Sequence, residues 1–301
     1  MNKIPPFPYF KKLELLDSLA VERFLNKFLP YSDFNFANLW SWDIHHKMMI
    51  CSLNNNLVVL FSDYVTGEEF LTFIGNNKVS ETASELIDFS KKNYQKDFLK
   101  FIPEENAVVL SESGFKTKPD RDSYDYIYSV DHLAIMNQWT KNSKSKRIRQ
   151  FVRQHPDYKV TISSIGEIQK DSYQKLFKKW ANNKEIENHF ELHEYKAFER
   201  ILQIKDNNNI KVLSLYVNDI LMGFTVYEIV SGDYAIAHFS KADIKYHSSM
   251  YDLLIWEEAK ALKARKVKYY NFELDLGITG LRYTKEKYKP AFFLKKFILT
   301  N

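Results

Sequence analysis

Residues 210–240 read IKVLSLYVNDILMGFTVYEIVSGDYAIAHFS, and their pattern decides the fold class. Apolar, β-branched and aromatic residues fall into three blocks, 210–217, 220–230 and 234–240. Blocks of that length and composition read as strands. Asn218-Asp219 separates the first two and Gly232-Asp233 the last two, residue types that tolerate the backbone of a tight hairpin. The stretch is therefore an antiparallel meander. Outward from it, a strand at 158–162 and helical patterns near 167–184 and 192–204 come before. A helix at about 249–264, a strand at 267–272, a helix from about Gly280 and a strand at 292–299 come after.

The first half carries the same order. One helical pattern opens at Asp17-Ser18 and closes at Pro30, and FNFANLWSW (34–42) forms another. Strands follow at 48–53 and 57–61, joined by Asn54-Asn55-Asn56, and at 70–74. A helix capped by Ser80 runs through Asn93, followed by a strand at 98–102, a helix at 104–112 and strands at 115–117 and 124–130. Helix, helix, three antiparallel strands, helix, strand, helix, strand is the element order of the GNAT acyltransferase fold. Its double occurrence predicts an α/β (α+β) chain of two tandem GNAT-like acyltransferase domains. Each would be a mixed, mostly antiparallel sheet flanked by helices. The expected division is an N-terminal domain at 1–130, a basic connecting helix at 131–155, and a C-terminal domain at 156–301 carrying the candidate active site.

With 45% hydrophobic and 27% charged residues in 301, the chain can bury substantial cores and is not disordered. The single cysteine, Cys51, excludes an internal disulfide framework and suits a reducing compartment. No His or Cys stands near it at metal-ligand spacing, so an inert buried thiol is expected. Prolines interrupt MNKIPPFPYF where a signal peptide needs an apolar run. No stretch approaches the roughly 18 to 20 apolar residues that span a bilayer, and a cytoplasmic location is expected.

The net charge of +5 decides little, but its distribution is informative. KNSKSKRIRQFVRQ (141–154) holds six basic residues and no acid. Ile148, Phe151 and Val152 form an apolar stripe, and Lys146, Arg149 and Arg153 share another face. An amphipathic basic helix of this kind is either a connector with a solvated face or a phosphate-tracking patch for RNA or an anionic headgroup.

In NFELDLGITGLRYTKEKYKP (271–290), a strand ends beside Glu273, Asp275 and Gly277, the place where ligands gather in a sheet with parallel strands. Gly277 and Gly280 permit a tight turn there. Asp275 either caps the next helix, with Arg282 and Lys285 as surface charges, or the three form a reaction centre. In RDSYDYIYS (121–129), Tyr124, Tyr126 and Tyr128 share one face and either stack on bases or pack in the interior. His189 and His193 have helical spacing without HExxH, so no metal site is expected. No GxSxG, Walker loop or dinucleotide fingerprint occurs.

FNFANLWSW, RDSYDYIYS, KSKRIRQF, AHFSKAD and NFELDLGITGLRYTKEKYKP with LKK after it lie in order across residues 34–296. Together they resemble the phosphatidylglycerol lysyltransferase C-terminal-domain-like family. Characterised membrane relatives move an amino acid, often lysine, from aminoacyl-tRNA to a lipid headgroup. Related Fem-type ligases extend peptidoglycan bridges in the same way. The resemblance implies a soluble acyltransferase that uses aminoacyl-tRNA, with tRNA as partner and a small-molecule or peptide acceptor offering an amine or hydroxyl.

Asp275, Arg282 and Lys285 match the family's DLGxxGLRxxK pattern, which implies catalytic roles. Asp275 would orient the acceptor amine, and the two cations would hold the donor's negative charge. Glu273, His238, Lys241, Tyr288 and Tyr126 are the implied substrate-binding residues, and Lys146, Arg149 and Arg153 the nucleic-acid-binding ones. Where relatives often have an acid before the lysine of AHFSKAD, this chain has Ser240. A lone strand histidine such as His238 is more often a satisfied core residue than a functional one.

No cofactor is expected. Acetyl-CoA is disfavoured because IKYHSSMYDLL places Ser248-Ser249 where acyl-CoA enzymes have a glycine turn around pyrophosphate. Two other classes stay open: an acyl-CoA-dependent N-acyltransferase, and a non-catalytic GNAT pair that binds RNA or a small acid.

Overall fold

The computed structural model describes residues 3–139, 143–183 and 189–301, with the backbone alone for 182–183 and 189–192. Strand β1 (Lys11–Lys12) precedes α1 (Ser18–Leu25), α2 (Phe36–Trp42), β2 (Met49–Leu53), β3 (Asn56–Ser62) and β4 (Glu69–Ile74). Next come α3 (Val79–Tyr94), β5 (Phe98–Pro103), α4 (Glu104–Glu112), β6 (Lys116–Pro119), β7 (Asp125–Ser129) and α5 (Val130–Ala134). The middle of the chain forms α6 (Ser143–Gln154), β8 (Lys159–Ser164), α7 (Lys170–Asn183) and α8 (His189–Ile201). The last elements are β9 (Ile210–Val217), β10 (Ile220–Ile229), β11 (Tyr234–Ala242), α9 (Met250–Ala264), β12 (Tyr269–Asn271), α10 (Thr279–Glu286), β13 (Phe292–Leu294) and β14 (Lys296–Thr300). None of these helices is long and apolar enough to cross a membrane.

The chain forms two compact units, and they are not its two halves. The first takes the residues up to Tyr126 and then regains Leu274–Thr284 and Phe293–Asn301; the second is Ile127–Glu273 with Lys285–Phe292. The expected division near 131–155 assigned everything beyond it to one domain. Within the first unit, β14 is the middle strand of an antiparallel β5-β14-β6 sheet. Its Leu299 is fully buried with Leu99 and Ile102 of β5, Leu71 and Phe73 of β4, and Leu86 and Ile87 of α3. Ladder bonds on both sides plus that burial fix the last strand in this core.

The other sheet of this unit is β1-β2-β3-β4. Asn54 and Asn55 both have positive φ and join β2 to β3 in a two-residue hairpin, so Asn56 belongs to the strand. Ser80 does not cap α3. The helix begins one residue earlier, after a left-handed Lys78, and the Ser80 hydroxyl donates to Ser113 Oγ at 2.7 Å. Cys51 is fully buried, and burial pushes its thiol up to about 12, which leaves it inert. Lys296, also fully buried, ion-pairs with Asp33 and, at 2.8 Å, with Asp125. Asp125 accepts in addition from Ser32 N–H and Oγ, both at 2.7 Å.

The second unit contains the meander. Its sheet runs β13-β7-β12-β11-β10-β9-β8, the chain passing from one unit to the other within β7 and β13. Asn218 and Asp219 take positive φ in the β9–β10 turn. Phe177, Phe198 and Phe224 form the ring cluster by which α7 and α8 cover β10. Two irregularities matter for chemistry. β11 and β12 are parallel only from Tyr234↔Tyr269 to Ile236↔Asn271. Just beyond, Val226 pairs with Phe239 and Tyr227 with Ala237, leaving His238 as the extra residue of a bulge.

Candidate functional site

In the first unit, Asp275 is fully buried and lies in the turn before α10. Its carboxylate accepts from Arg282 Nε at 2.9 Å and Arg282 Nη2 at 2.8 Å, a bidentate fork. Tyr126 Oη donates at 2.6 Å, Gly277 N–H at 2.8 Å and Arg121 Nη1 at 3.2 Å. Burial pushes the Asp275 carboxyl up, but the donors from Arg282, Tyr126 and Gly277 outweigh it and hold the group below its usual range. The residue is not the N-cap of α10, which starts at Thr279. It is the acceptor around which two guanidiniums are set.

Local backbone explains the turn. Leu276 and Gly277 have positive φ, and Leu276 N–H donates to Asp122 O at 3.0 Å. The positive φ favours glycine at 277, and a Cβ there would stand 2.8 Å from an Asp122 carboxylate oxygen and displace that side chain from Arg282. Arg282 Nη2 also donates to Asp122 Oδ1 at 2.5 Å. The Arg121 guanidinium packs among Tyr124, Tyr126 and Phe293, with ring centroids 5.6, 5.1 and 4.8 Å away, and donates to Tyr126 Oη at 2.8 Å. Side-chain exposures of 34% for Arg121 and 31% for Arg282 leave both cations in reach of solvent above a buried carboxylate.

Other expected site residues are placed differently. Tyr124, Tyr126 and Tyr128 are all buried, so they offer no stacking platform to bases, and Tyr126 supports the two arginines from beneath. In the second unit, Lys285 Nζ donates to the carbonyls of Phe272, at 2.5 Å, and Glu273, at 3.2 Å, at the end of β12. Tyr288 is buried and donates to Asp252 Oδ1 at 2.7 Å, with Lys144 Nζ 3.6 Å from its ring centroid. Lys241 is buried over the Trp180 ring at 3.8 Å and pairs with Glu194 at 2.6 Å. Tyr126, Tyr288 and Lys241, expected to bind substrate, are all buried side chains here. Aromatic packing and a satisfied polar tip hold each of them in the core.

His238 Nε2 stands 3.5 Å from Glu228 Oε2, and Nδ1 3.6 Å from Glu273 Oε1. Burial alone would lower the imidazole, but the two carboxylates raise it to about 9. Glu273 has positive φ, and its N–H donates to Asn271 Oδ1 at 2.6 Å.

Helix α6 carries the basic face as the spacing predicts. Ile148 and Phe151 are buried, and Lys146, Arg149 and Arg153 are exposed. Lys144 and Arg147 turn the other way and share Asp252, each at 2.9 Å. Arg149 and Arg153, with Ile148, Val152, Asn137 and Trp256, line an open groove of about 300 Å³. At the start of α9, the Ser249 N–H and hydroxyl both meet His247 Nδ1, at 3.2 and 2.7 Å, and Met250 N–H donates to His247 O at 3.2 Å. The His189 side chain lies outside the described residues.

Arg121, Asp122 and Glu228 were not singled out in the sequence. Arg121 and Asp122 open the RDSYDYIYS motif, whose alternating tyrosines drew the reading; an Arg-Asp pair ahead of that strand was the available signal.

Over residues 26–300 the chain matches the family model described as phosphatidylglycerol lysyltransferase, C-terminal. A conserved protein of unknown function from Bacteroides thetaiotaomicron superposes with a TM-score of 0.82 at 25% identity, over 97% of this chain and 98% of that one. L-PGS from Bacillus licheniformis superposes with a TM-score of 0.60 at 13% identity, over 100% of this chain and 94% of that one. FemX gives 0.60 at 10% identity, over 96% of each. The fold is mixed α/β with antiparallel-dominated sheets flanked by helices.

Proposed function

Because this chain belongs to the phosphatidylglycerol lysyltransferase C-terminal family, we propose that it is an acyltransferase moving an amino acid from aminoacyl-tRNA to an amine or hydroxyl acceptor. The observation that carries this reading is the pair of partly exposed guanidiniums, Arg121 and Arg282, set on the buried Asp275 carboxylate. Attack on an ester carbonyl builds negative charge on its oxygen, and the donor's acceptor end brings phosphates. Cations fixed in advance stabilise either charge without reorganising. With its oxygens taken by donors, Asp275 serves to orient the arginines rather than to meet the amine. The direct test is to charge bulk tRNA with each labelled amino acid and follow label onto lipid, peptide or small-molecule acceptors. Failure to move label from any charged tRNA would overturn the reading.

The exposed face of α6 supports tRNA as the donor's carrier. Exchanging Lys146, Arg149 and Arg153 together for Gln is expected to weaken tRNA binding and flatten its salt dependence, by roughly one unit of slope per lost phosphate contact. Filter binding from low to moderate salt reads this directly. An unchanged slope would make the helix a connector.

Acyl-CoA is the weaker donor. Two of the backbone N–H groups at the start of α9 that would hold a pyrophosphate, those of Ser249 and Met250, are engaged by His247. Calorimetry with acetyl-CoA is expected to show no micromolar binding, and a tight one-to-one complex would favour the acyl-CoA reading instead.

A further inference from the structure

We infer that Glu228, acting through His238, positions the Glu273 carboxylate to take a proton from the acceptor during transfer, a role that rests on the acyltransferase reading above. The three side chains come from β10, from the bulge of β11 and from the end of β12. The bulge places His238 where the parallel pairing of β11 and β12 has just ended, so its ring spans from Glu228 on one side to Glu273 on the other. Side-chain exposure grades along this line, from none at His238 and 6% at Glu228 to 15% at Glu273. Glu273 is thus the most solvent-exposed member of the line.

The surrounding groups fit an oriented imidazolium. Asn207 Nδ2 donates to Glu228 Oε1 at 3.1 Å and fixes that carboxylate from outside β10. From α9, Glu258 is buried, accepts from Thr225 Oγ1 at 2.9 Å and adds a favourable field at His238. Burial pushes the Glu258 carboxyl up to about 7, with the neighbouring Tyr270, Thr225 and His238 opposing that shift, and Lys285 holds the Glu273 carbonyl. With a carboxylate 3.5 Å from Nε2 and another 3.6 Å from Nδ1, the protonated ring is drawn to both, which favours one orientation of Glu273.

In the reaction, the acceptor N–H or O–H gives its proton to Glu273 as the acceptor atom bonds to the acyl carbon. The ester C–O bond breaks, and the proton passes to the departing ribose oxygen. Net, the acceptor loses one hydrogen and the ribose hydroxyl regains one.

The test pairs NMR with kinetics. Labelled histidine followed against pH is expected to show His238 in the wild type titrating near 9, and at least about one unit lower in Glu228→Gln. With tRNA charged with a 14C amino-acid mixture and water as acceptor, Glu228→Gln is expected to lower kcat by about tenfold or more, with KM little changed. Glu228→Asp should recover part of that loss. Glu273→Gln, at the more exposed end, serves should Glu228→Gln fail to fold: it should lower both the His238 midpoint and kcat. A wild-type His238 midpoint near 6.5, or wild-type kcat in a folded variant with a shifted His238, would overturn the positioning role. A wild type that moves label from no charged tRNA to water or to any lipid, peptide or small-molecule acceptor would instead remove the acyltransferase reading, and this role with it, whatever His238 does.

Discussion

Asp275→Asn is expected to lower label transfer by about a hundredfold, the scale on which a lost transition-state donor acts. It is also expected to lower unfolding stability by about 2 to 3 kcal/mol, somewhat less than a fully buried ion pair because both arginines are partly exposed. The amide keeps the acceptor that Gly277 N–H uses. It then turns an NH₂ group toward donors from Arg282, Tyr126 or Arg121, where the carboxylate accepted from all of them. A simple helix cap would show a different profile, about 1 kcal/mol or less for an Asp-to-Asn exchange and intact transfer. Arg282→Lys separates charge from geometry: the cation remains, but the fork on Asp275 is lost. Denaturant unfolding alongside transfer from charged tRNA measures both quantities. Full transfer in a destabilised Asp275→Asn would show that the network only supports the fold.

The second large effect is expected at Lys296. Lys296→Met removes the cation between Asp33 and Asp125, which leaves two buried carboxylates facing each other, and the expected loss is about 3 to 5 kcal/mol. Its pH dependence identifies the cause. Burial already lifts the Asp33 carboxyl to about 6, with Lys296 opposing and Asp125 reinforcing that shift. A group whose folded value is raised favours the fold most below its unfolded value, about 3.9 for aspartate, and that contribution is lost as pH rises through the folded value. Without Lys296 the folded value of Asp33 rises further. The deficit of the variant against the wild type should therefore be largest at pH 8 and narrow as pH falls toward 5. Urea unfolding of both proteins across that range checks it. A deficit independent of pH would mean that lost packing, not uncompensated charge, is responsible.

What the sequence determined by itself is local. Asn54-Asn55 and Asn218-Asp219 specify hairpins because those side chains accept positive φ. The i, i+3 apolar stripe of Ile148 and Phe151 specifies which face of α6 turns inward and leaves Lys146, Arg149 and Arg153 outside. The blocks of 210–240 specify the meander for the same reason: block length, β-branched and aromatic composition and the turn residues between are properties of neighbours along the chain. Tertiary structure decided the rest. Lys296 reads as a surface charge in any window, and it is buried only because Asp33 and Asp125, distant in sequence, meet it there. Arg121 and Asp275 are separated by 154 positions, and their pairing leaves no periodic trace. The return of β14 between β5 and β6 is set by unpaired strand edges and a core with room for Leu299. His238 became a bridge between two carboxylates only through a bulge that no spacing rule announces. A strand pattern fixes which way a side chain points; which charge waits there depends on where distant parts of the chain come to rest.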